Sequence, residues 1–305
     1  MLKKLVVMAS LLLIAGVSMQ AQEVKKPRLL IDFFMEGDNV KEENSDKVRH
    51  AVMDAVNKSK RFEVVDIVAT FAVAREAQRR SGEEAMSDEK ARTEIISNGA
   101  YDYILKGEVT ACSIKEETKD GKKSYQCVLN YSVTVTEVAT TTTVATKAFD
   151  HSPSGLGGTL GKFLDNSSSA DGAVSSAVNM IESDITDFLI EEFPLTGEVI
   201  PMDYEVKKDK VTALYIALGS DHGVKEGDFF AVSVPKTRAG RTTYSEVGRV
   251  KVTEVVDGTM AFCKVTKGDK QLLVELQALA ELSEEEQQKN PLKVKGIKAP
   301  SLLGL

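Results

Sequence analysis

The chain has 305 residues, of which 42 % are hydrophobic and 28 % charged, and its 46 Asp and Glu outnumber 39 Lys and Arg to give a net charge of −7. This length is enough for two domains with hydrophobic cores. The acidic balance, without a stripe of basic residues, argues against a nucleic-acid-binding protein, and the absence of Trp argues against an aromatic sugar-binding platform.

The first 21 residues have the organisation of a secretory signal peptide. Lys3 and Lys4 form a basic start, an apolar run follows at 5–17, and Ala21 is a small residue at the cleavage point. The run of about 13 residues is shorter than the roughly 20 that cross a bilayer as a helix. We predict cleavage after Ala21, which removes both lysines and leaves a mature chain of net charge −9. The mature chain has no predicted transmembrane segment, and its predicted location is the periplasm, peripheral to the outer membrane.

The predicted elements of residues 22–196 alternate between strand and helix. A buried strand at 28–34 precedes a helix that has Ser45 as its N-cap and apolar residues at helical spacing. The following segments are a strand at 62–66, helices at 69–80 and 87–97, strands at 100–112, 125–138 and 144–150, and a helix at 173–192. This order predicts an α/β sandwich, in which helices pack on a mixed sheet.

Residues 197–280 have a different pattern. Short strand-like segments, separated by Gly, Pro and Asp, lie at 198–200, 211–216, 229–234, 247–256 and 259–265. They predict a small all-β barrel or sandwich, so that the whole chain belongs to the α+β class. Residues 281–305 begin with a charged run and end with Gly, Pro and Ser, and we predict a flexible or docking tail there.

Two cysteines lie almost symmetrically about a predicted hairpin turn. Cys112 and Cys127 flank residues 119–122, whose Asp-Gly pair is typical of tight hairpins. We therefore expect the two cysteines nearly opposite each other on antiparallel strands. In an exported protein they can form a disulfide, which would close a loop of about 15 residues and contribute roughly 3 kcal/mol. The alternative is a pair of buried thiols, and Cys263 is predicted to be a small buried apolar residue.

Few residues suggest catalysis, a metal or a cofactor. His50, His151 and His222 fall in different predicted elements, and no His or Cys pair has the spacing of a metal site. No GxSxG motif is present, which argues against a serine hydrolase. Asp32 follows a buried strand and is interpreted as an interior hydrogen-bonding residue or, alternatively, a site acid. The sequence therefore predicts a protein that is not an enzyme and has no cofactor.

A Gly-rich segment precedes the last helix of the first domain. Its glycines resemble those of a phosphate-binding loop, but Lys162 is followed by Phe163 rather than by Ser or Thr. We interpret the segment as an interaction loop, formed by Gly155, Gly157, Gly158 and Gly161. The Gly- and Asp-rich segment at 219–228 is interpreted as a structural turn.

Residues 27–193 resemble the periplasmic α/β domain shared by CsgG, LpoB and the N-terminal domain of TolB. The resemblance rests on the segments 29–33 (LLIDF), 62–66 (FEVVD), 100–109 (AYDYILKGEV) and 133–138 (VTVTEV). The chain departs from the family at 139–143, where ATTTT replaces a Thr-Gly turn, and it lacks the lipid-anchored cysteine of CsgG and LpoB. The barrel segments 214–219, 222–228 and 248–255 are similar to the C-terminal β domain of FlgT.

These resemblances imply a protein that works in assemblies. We predict a non-enzymatic periplasmic interaction protein whose partners are other envelope proteins, or further copies of itself in a ring. Two alternatives remain open. One is a soluble accessory of a CsgG-type secretion or surface-appendage system, and the other is a hydrolase or small-ligand receptor. The last alternative requires an interdomain cleft that brings together groups such as Asp32, His50 or His222.

Overall fold

The computed structural model describes residues 26–81, 88–119, 122–151 and 167–300. A five-stranded mixed sheet organises the first part of the chain and a closed six-stranded barrel the second, which confirms the predicted fold class. Among the described residues no helix has both the length and the apolar composition needed to cross a membrane. The signal peptide and the Gly155–Gly161 loop lie outside the described residues, so both stay predictions.

The mixed sheet is built from five strands in the order β2-β1-β3-β4-β5. They are β1 (Arg28–Glu36), β2 (Glu63–Asp66), β3 (Tyr103–Lys119), β4 (Lys122–Glu137) and β5 (Thr142–His151). The first two crossovers make β1 parallel to both β2 and β3, whereas β3, β4 and β5 form antiparallel hairpins. Because the chain leaves β1 toward β2 and then returns to β3 on its other side, the sheet changes winding direction at β1.

Four described helices flank this sheet: α1 (Glu42–Ser59), α2 (Ile67–Ser81), α3 (Asp88–Asn98) and α4 (Ala170–Glu192). The helices α1 and α4 pack on one face, where Val52, Ile181 and Tyr131 share the main core. On the other face α2 and α3 cover a smaller cluster around Leu30 and Ile67. The helices α1, α2 and α4 thus bury apolar residues on one side, as their periodicity predicts, whereas Ala91, Ile95 and Ile96 of α3 are partly buried.

The start of α1 differs from the prediction. The helix begins at Glu42 after Lys41, and Ser45 lies one turn inside it rather than at the N-cap. The Ser45 side chain is buried, and its hydroxyl has no hydrogen-bond partner among the described residues. Two acidic residues in the first turn, Glu42 and Glu43, favour the earlier start because they complement the helix dipole.

The barrel has the strand order β10-β7-β6-β11-β8-β9. Its elements are β6 (Thr196–Val206), β7 (Val211–Ile216), β8 (Phe229–Arg238), β9 (Arg241–Val255), β10 (Ala261–Lys267), α5 (Asp269–Ala280), α6 (Glu284–Lys289) and β11 (Lys293–Ile297). Two elements of the barrel differ in detail from the prediction. The helix α5 lies within the segment predicted as all-β and packs Leu272, Leu276 and Leu279 into the barrel core. The strand β11 lies within the predicted flexible or docking tail, and it docks between β6 and β8, where it completes the barrel.

The barrel and the first unit meet at the C-terminal ends of α1 and α4. The Arg61 guanidinium donates to the carbonyl of Leu189 at 3.0 Å and to that of Phe193. Lys298 forms ion pairs with Asp187 at 3.0 Å and Glu191 at 2.7 Å. The Arg61 hydrogen bonds join the end of α1 to the end of α4, and the Lys298 ion pairs hold the barrel against that end of α4.

Candidate functional site

The outer edge of β5 is open in the described part of the chain. β5 pairs with β4 along residues Thr142 to His151, and no described strand lies on its other side. An edge strand presents unpaired N–H and C=O groups, which can pair with an extended segment of another chain. The edge of the sheet is therefore a candidate interaction site.

Small polar side chains cover the sheet face next to this edge. The helices α2 and α3 pack over β1 and β2 on this face. Further along, Thr134 of β4 lies between Lys106 of β3 and Thr146 of β5 in register, and the two threonine hydroxyls are 3.3 Å apart. Ser132 and Ala148 form the next row. Short side chains, those of Thr134, Ser132, Thr146 and Ala148, therefore lie beside the edge of β5 on this face.

A lysine on β5 points to the opposite, helix-covered face. Lys147 reaches the Glu191 carboxylate at 2.8 Å, and the same carboxylate binds Lys298 at 2.7 Å. Hydrogen bonds from these two lysines lower the pKa of Glu191. An inward-pointing charge on an edge strand opposes indiscriminate strand pairing, because a new neighbour must leave the ion pair intact. Among the described residues the edge is thus accessible but selective.

Asp32 lies in a β-bulge in the middle of β1. The register with β3 shifts between Ile31 and Phe34, which leaves one extra residue on β1. The Asp32 carboxylate is fully buried, accepts hydrogen bonds from the Phe33 N–H at 2.9 Å and from Arg92 Nε at 3.1 Å, and forms an ion pair with Arg92. Both carboxylate oxygens are engaged, which agrees with the interior hydrogen-bonding role.

Arg49 of α1 joins this bulge to the end of β2. Its Nε donates to the Asp32 carbonyl at 3.0 Å, and its guanidinium forms an ion pair with Asp66. Asp66 also accepts the Val68 N–H at 2.9 Å at the start of α2. Since Arg49 is almost completely buried, its partners are needed to offset the desolvation of its charge.

A groove of about 670 Å³ lies over the bulge. It is lined by Phe33, Val68, Phe71, Ala72, Arg75, Glu89 and Arg92. The groove lies where the winding of the sheet changes direction, the position at which open α/β sheets often bind ligands. Asp32 itself is shielded from it by Arg92.

The three histidines lie in three separate places. His50 lines a groove between α1 and α4, His151 ends β5, and His222 belongs to a short turn where its Nδ1 accepts the Gly219 N–H at 3.2 Å. A cavity between described residues of the two units, lined by Arg61 and Asp228 among others, measures about 20 Å³. That volume holds about one water molecule, and none of Asp32, His50 and His222 lines it. Among the described residues no three His, Cys, Asp or Glu side chains are placed to bind a metal ion.

A buried network of Tyr131, His151 and Asp184 was not predicted. The Tyr131 hydroxyl donates to Asp184 Oδ2 at 2.9 Å, and His151 Nε2 lies 2.6 Å from the same oxygen. Burial raises the pKa of Tyr131, and the nearby Asp184 charge adds to this effect. The predicted strands already place Tyr131 and His151 on neighbouring strands. No pattern in the local sequence indicates that Asp184 of α4 is their common partner.

The two hairpin cysteines lie on the same face of the β3–β4 hairpin. Cys112 is in register with Leu129 and Cys127 with Ile114, so they are diagonal neighbours rather than nearly opposite. Both are free thiols in the structure. A hydrogen bond with Cys127 lowers the pKa of Cys112 to about 7, and the same hydrogen bond raises the pKa of Cys127. The disulfide remains a prediction.

No family model and no curated protein matches the chain. Its solved structural neighbours include the PelC dodecamer from Paraburkholderia phytofirmans (14% identity, 52% of this chain and 84% of that chain, TM-score 0.29). Lipoprotein GNA1162 from Neisseria meningitidis is 16% identical over 52% of this chain and 99% of its own, with a TM-score of 0.29. The LpoB C-terminal domain from Escherichia coli is 13% identical over 41% of this chain and 82% of its own, with a TM-score of 0.27. The likenesses to CsgG and FlgT stay predictions.

Proposed function

We propose that the protein is a non-enzymatic interaction protein of the bacterial cell envelope, exported to the periplasm, which acts through protein–protein contacts. The observation that carries this proposal is the edge of β5, which is open in the described part of the chain and lies beside short, mostly polar side chains. The partner supplies an extended segment that pairs with β5 as a sixth strand. It is either another envelope protein or a second copy of this chain.

Backbone hydrogen bonds supply the affinity of such a contact. A segment that pairs along the whole of β5 would form about ten hydrogen bonds with it, in about five hydrogen-bonded residue pairs, and each bond contributes about 1 kcal/mol net. Specificity comes from side chains that alternate between the two faces. On one face they meet Thr146 and Ala148, and on the other they must accommodate the Lys147–Glu191 ion pair.

Site-specific photocrosslinking in intact cells tests the proposal. We expect a photoreactive amino acid at Thr146 to give a discrete adduct, because Thr146 is exposed on the edge strand. The matched control is the same amino acid at Gln277, an exposed position on α5. Equal crosslinking at both positions, or none at Thr146, would contradict the proposal. The adduct mass separates self-association from a different partner.

The identity of the partner also tests the finer alternative. An adduct with a component of a CsgG-type secretion or surface-appendage system would make this chain its soluble accessory.

We further propose that the chain divides near Pro194 into two units. Among the described residues the two cores share no buried side chain, and the contacts between the units include those of the ends of α1 and α4 with the 219–228 segment and with Lys298.

A further inference from the structure

Four cations form two directly opposed pairs on the outer wall of the barrel. Lys264 of β10 is in register with Lys251 of β9, and Lys267 is in register with Arg249. Like charges directly opposite each other on neighbouring strands destabilise a sheet. The barrel carries two such pairs in succession, and within the described part of the chain only Arg249 of the four has an ion pair, with Glu246 at 2.7 Å.

Two more lysines extend this surface across β8 to β11. Ala231 of β8 lies between Arg249 and Lys295, and Ser233 is in register with Lys293. Neighbouring strands are about 4.8 Å apart, so the four strands place these charges within roughly 15 Å. We call this surface the basic wall; it comprises Arg249, Lys251, Lys264, Lys267, Lys293 and Lys295. Glu198, in register with Lys293, lies at its margin.

Aromatic rings support two of these lysines. The Lys251 ammonium lies 5.5 Å from the centre of the Phe229 ring, and the Lys293 ammonium lies 4.7 Å from that of Tyr244. The Tyr244 side chain is itself 43% exposed. Lysines whose ammonium groups lie over aromatic rings at the surface of the barrel suit the boundary between water and a lipid headgroup layer.

Charge is divided unevenly between the two units. Residues 26–195 contain 29 Asp and Glu against 20 Lys and Arg, whereas residues 196–298 contain 16 of each. An anionic surface therefore repels the first unit and attracts the basic wall. This asymmetry orients the protein with the barrel toward such a surface and the first unit, which contains β5, away from it.

We infer that the basic wall binds an anionic lipid surface through the phosphates of its headgroups. The opposed lysines Lys251 and Lys264 place two ammonium groups around one phosphate, which relieves their mutual repulsion. Each lysine close to an anionic membrane contributes on the order of 1 kcal/mol. The inference goes beyond the proposed function, since it concerns the barrel and not the partner of β5.

Vesicle sedimentation with the purified mature protein tests this inference. We expect binding to phosphatidylcholine vesicles that contain about 30 mol % phosphatidylglycerol, and no binding to pure phosphatidylcholine. About 0.5 M NaCl should release the protein, because salt screens exposed charges. The double variant Lys251→Gln and Lys264→Gln should lower the affinity about tenfold or more. It should remain at least as stable as the parent protein, since a like-charge pair is removed.

The matched control removes two other lysines of the barrel unit. Lys207→Gln and Lys208→Gln change the net charge equally, but these residues lie in the connection between β6 and β7, and binding should persist. Equal loss of binding in both double variants would overturn the inference, as would equal binding to neutral vesicles. Binding of heparin or inorganic phosphate without binding to the anionic vesicles would likewise overturn the assignment to lipid.

Discussion

At the scale of single residues, Ser45 shows how burial can override a local signal. The sequence around it matches a helix N-cap, yet Ser45 lies inside α1 with a buried hydroxyl that has no partner in the described part of the chain. For Asp32 the local sequence indicates the role of the residue but not its partner. Its interior role could be inferred from its place after a buried strand, but Arg92, its partner 60 residues away, could not. A long-range ion pair has no periodicity by which a sequence could reveal it.

Removal of the Ser45 hydroxyl should stabilise the protein. We expect Ser45→Ala to raise the free energy of unfolding by about 1 kcal/mol, because Ala is the better helix former and a buried unpaired hydroxyl is lost. Urea unfolding measures this change. The matched control is Ser59→Ala on the same helix, whose hydroxyl bonds the Val56 carbonyl at 2.6 Å. That variant should be destabilised, and a loss of stability in Ser45→Ala would contradict the prediction.

At the scale of elements, regular patterns were predictable and their long-range pairing was not. The alternation in β4 and the stripe of α4 agree with the elements observed. The helix α5 was missed although Leu272, Leu276 and Leu279 have helical spacing, because it follows a run of strands. The strand β11 is short and charged, and only its place between β6 and β8 makes it a strand. The open edge of β5 likewise follows from strand order, which local sequence does not encode.

The β3–β4 hairpin should show a cysteine of unusual reactivity. In the reduced protein we expect alkylation of Cys112 to increase with pH around a midpoint of about 7, because the hydrogen bond from Cys127 stabilises its thiolate. Cys127→Ala removes that hydrogen bond and should move the midpoint upward. Mass spectrometry after timed alkylation measures both. An unchanged midpoint in the variant would show that the two thiols do not interact.

The predicted disulfide is tested on the same hairpin. If Cys112 and Cys127 pair in the exported protein, labelling of the denatured, unreduced chain should find one free thiol, Cys263. Three free thiols would exclude the disulfide. Cys112 and Cys127 are diagonal neighbours, and the distance between such residues is near the longest that a disulfide can bridge. Either outcome is therefore informative.

At the scale of the whole molecule, a glycine fits the barrel against the first unit. Gly223 has φ 85° and lies directly against the Ser59 carbonyl at the end of α1, so that a Cβ would collide with it. Burial between the units also lowers the pKa of Arg61 and raises that of Asp228. The junction is therefore a packed contact rather than a free linker.

Gly223→Ala should open this junction. We expect a loss of stability of more than about 1 kcal/mol, because the collision adds to the strain of a positive φ. Gly227 provides the control, since it has φ 94° and no described atom lies within 4 Å of the place that a Cβ would take there. Gly227→Ala should show the strain alone. Faster hydrogen exchange near Arg61 in Gly223→Ala, but not in Gly227→Ala, would locate the change at the junction. Equal effects of the two variants would contradict the predicted collision at the junction.

The position of β11 sets the order in which the barrel can form. It lies between β6 and β8, which therefore do not pair with each other. The barrel can close only after the chain up to Ile297 has been made and β11 has paired with both strands. The mixed sheet and α4 are complete about 100 residues earlier, and domains generally fold in the order of synthesis. The first unit can therefore fold while the barrel is still an open sheet with exposed edges. Folding of the second unit is then limited by a contact between distant parts of its chain.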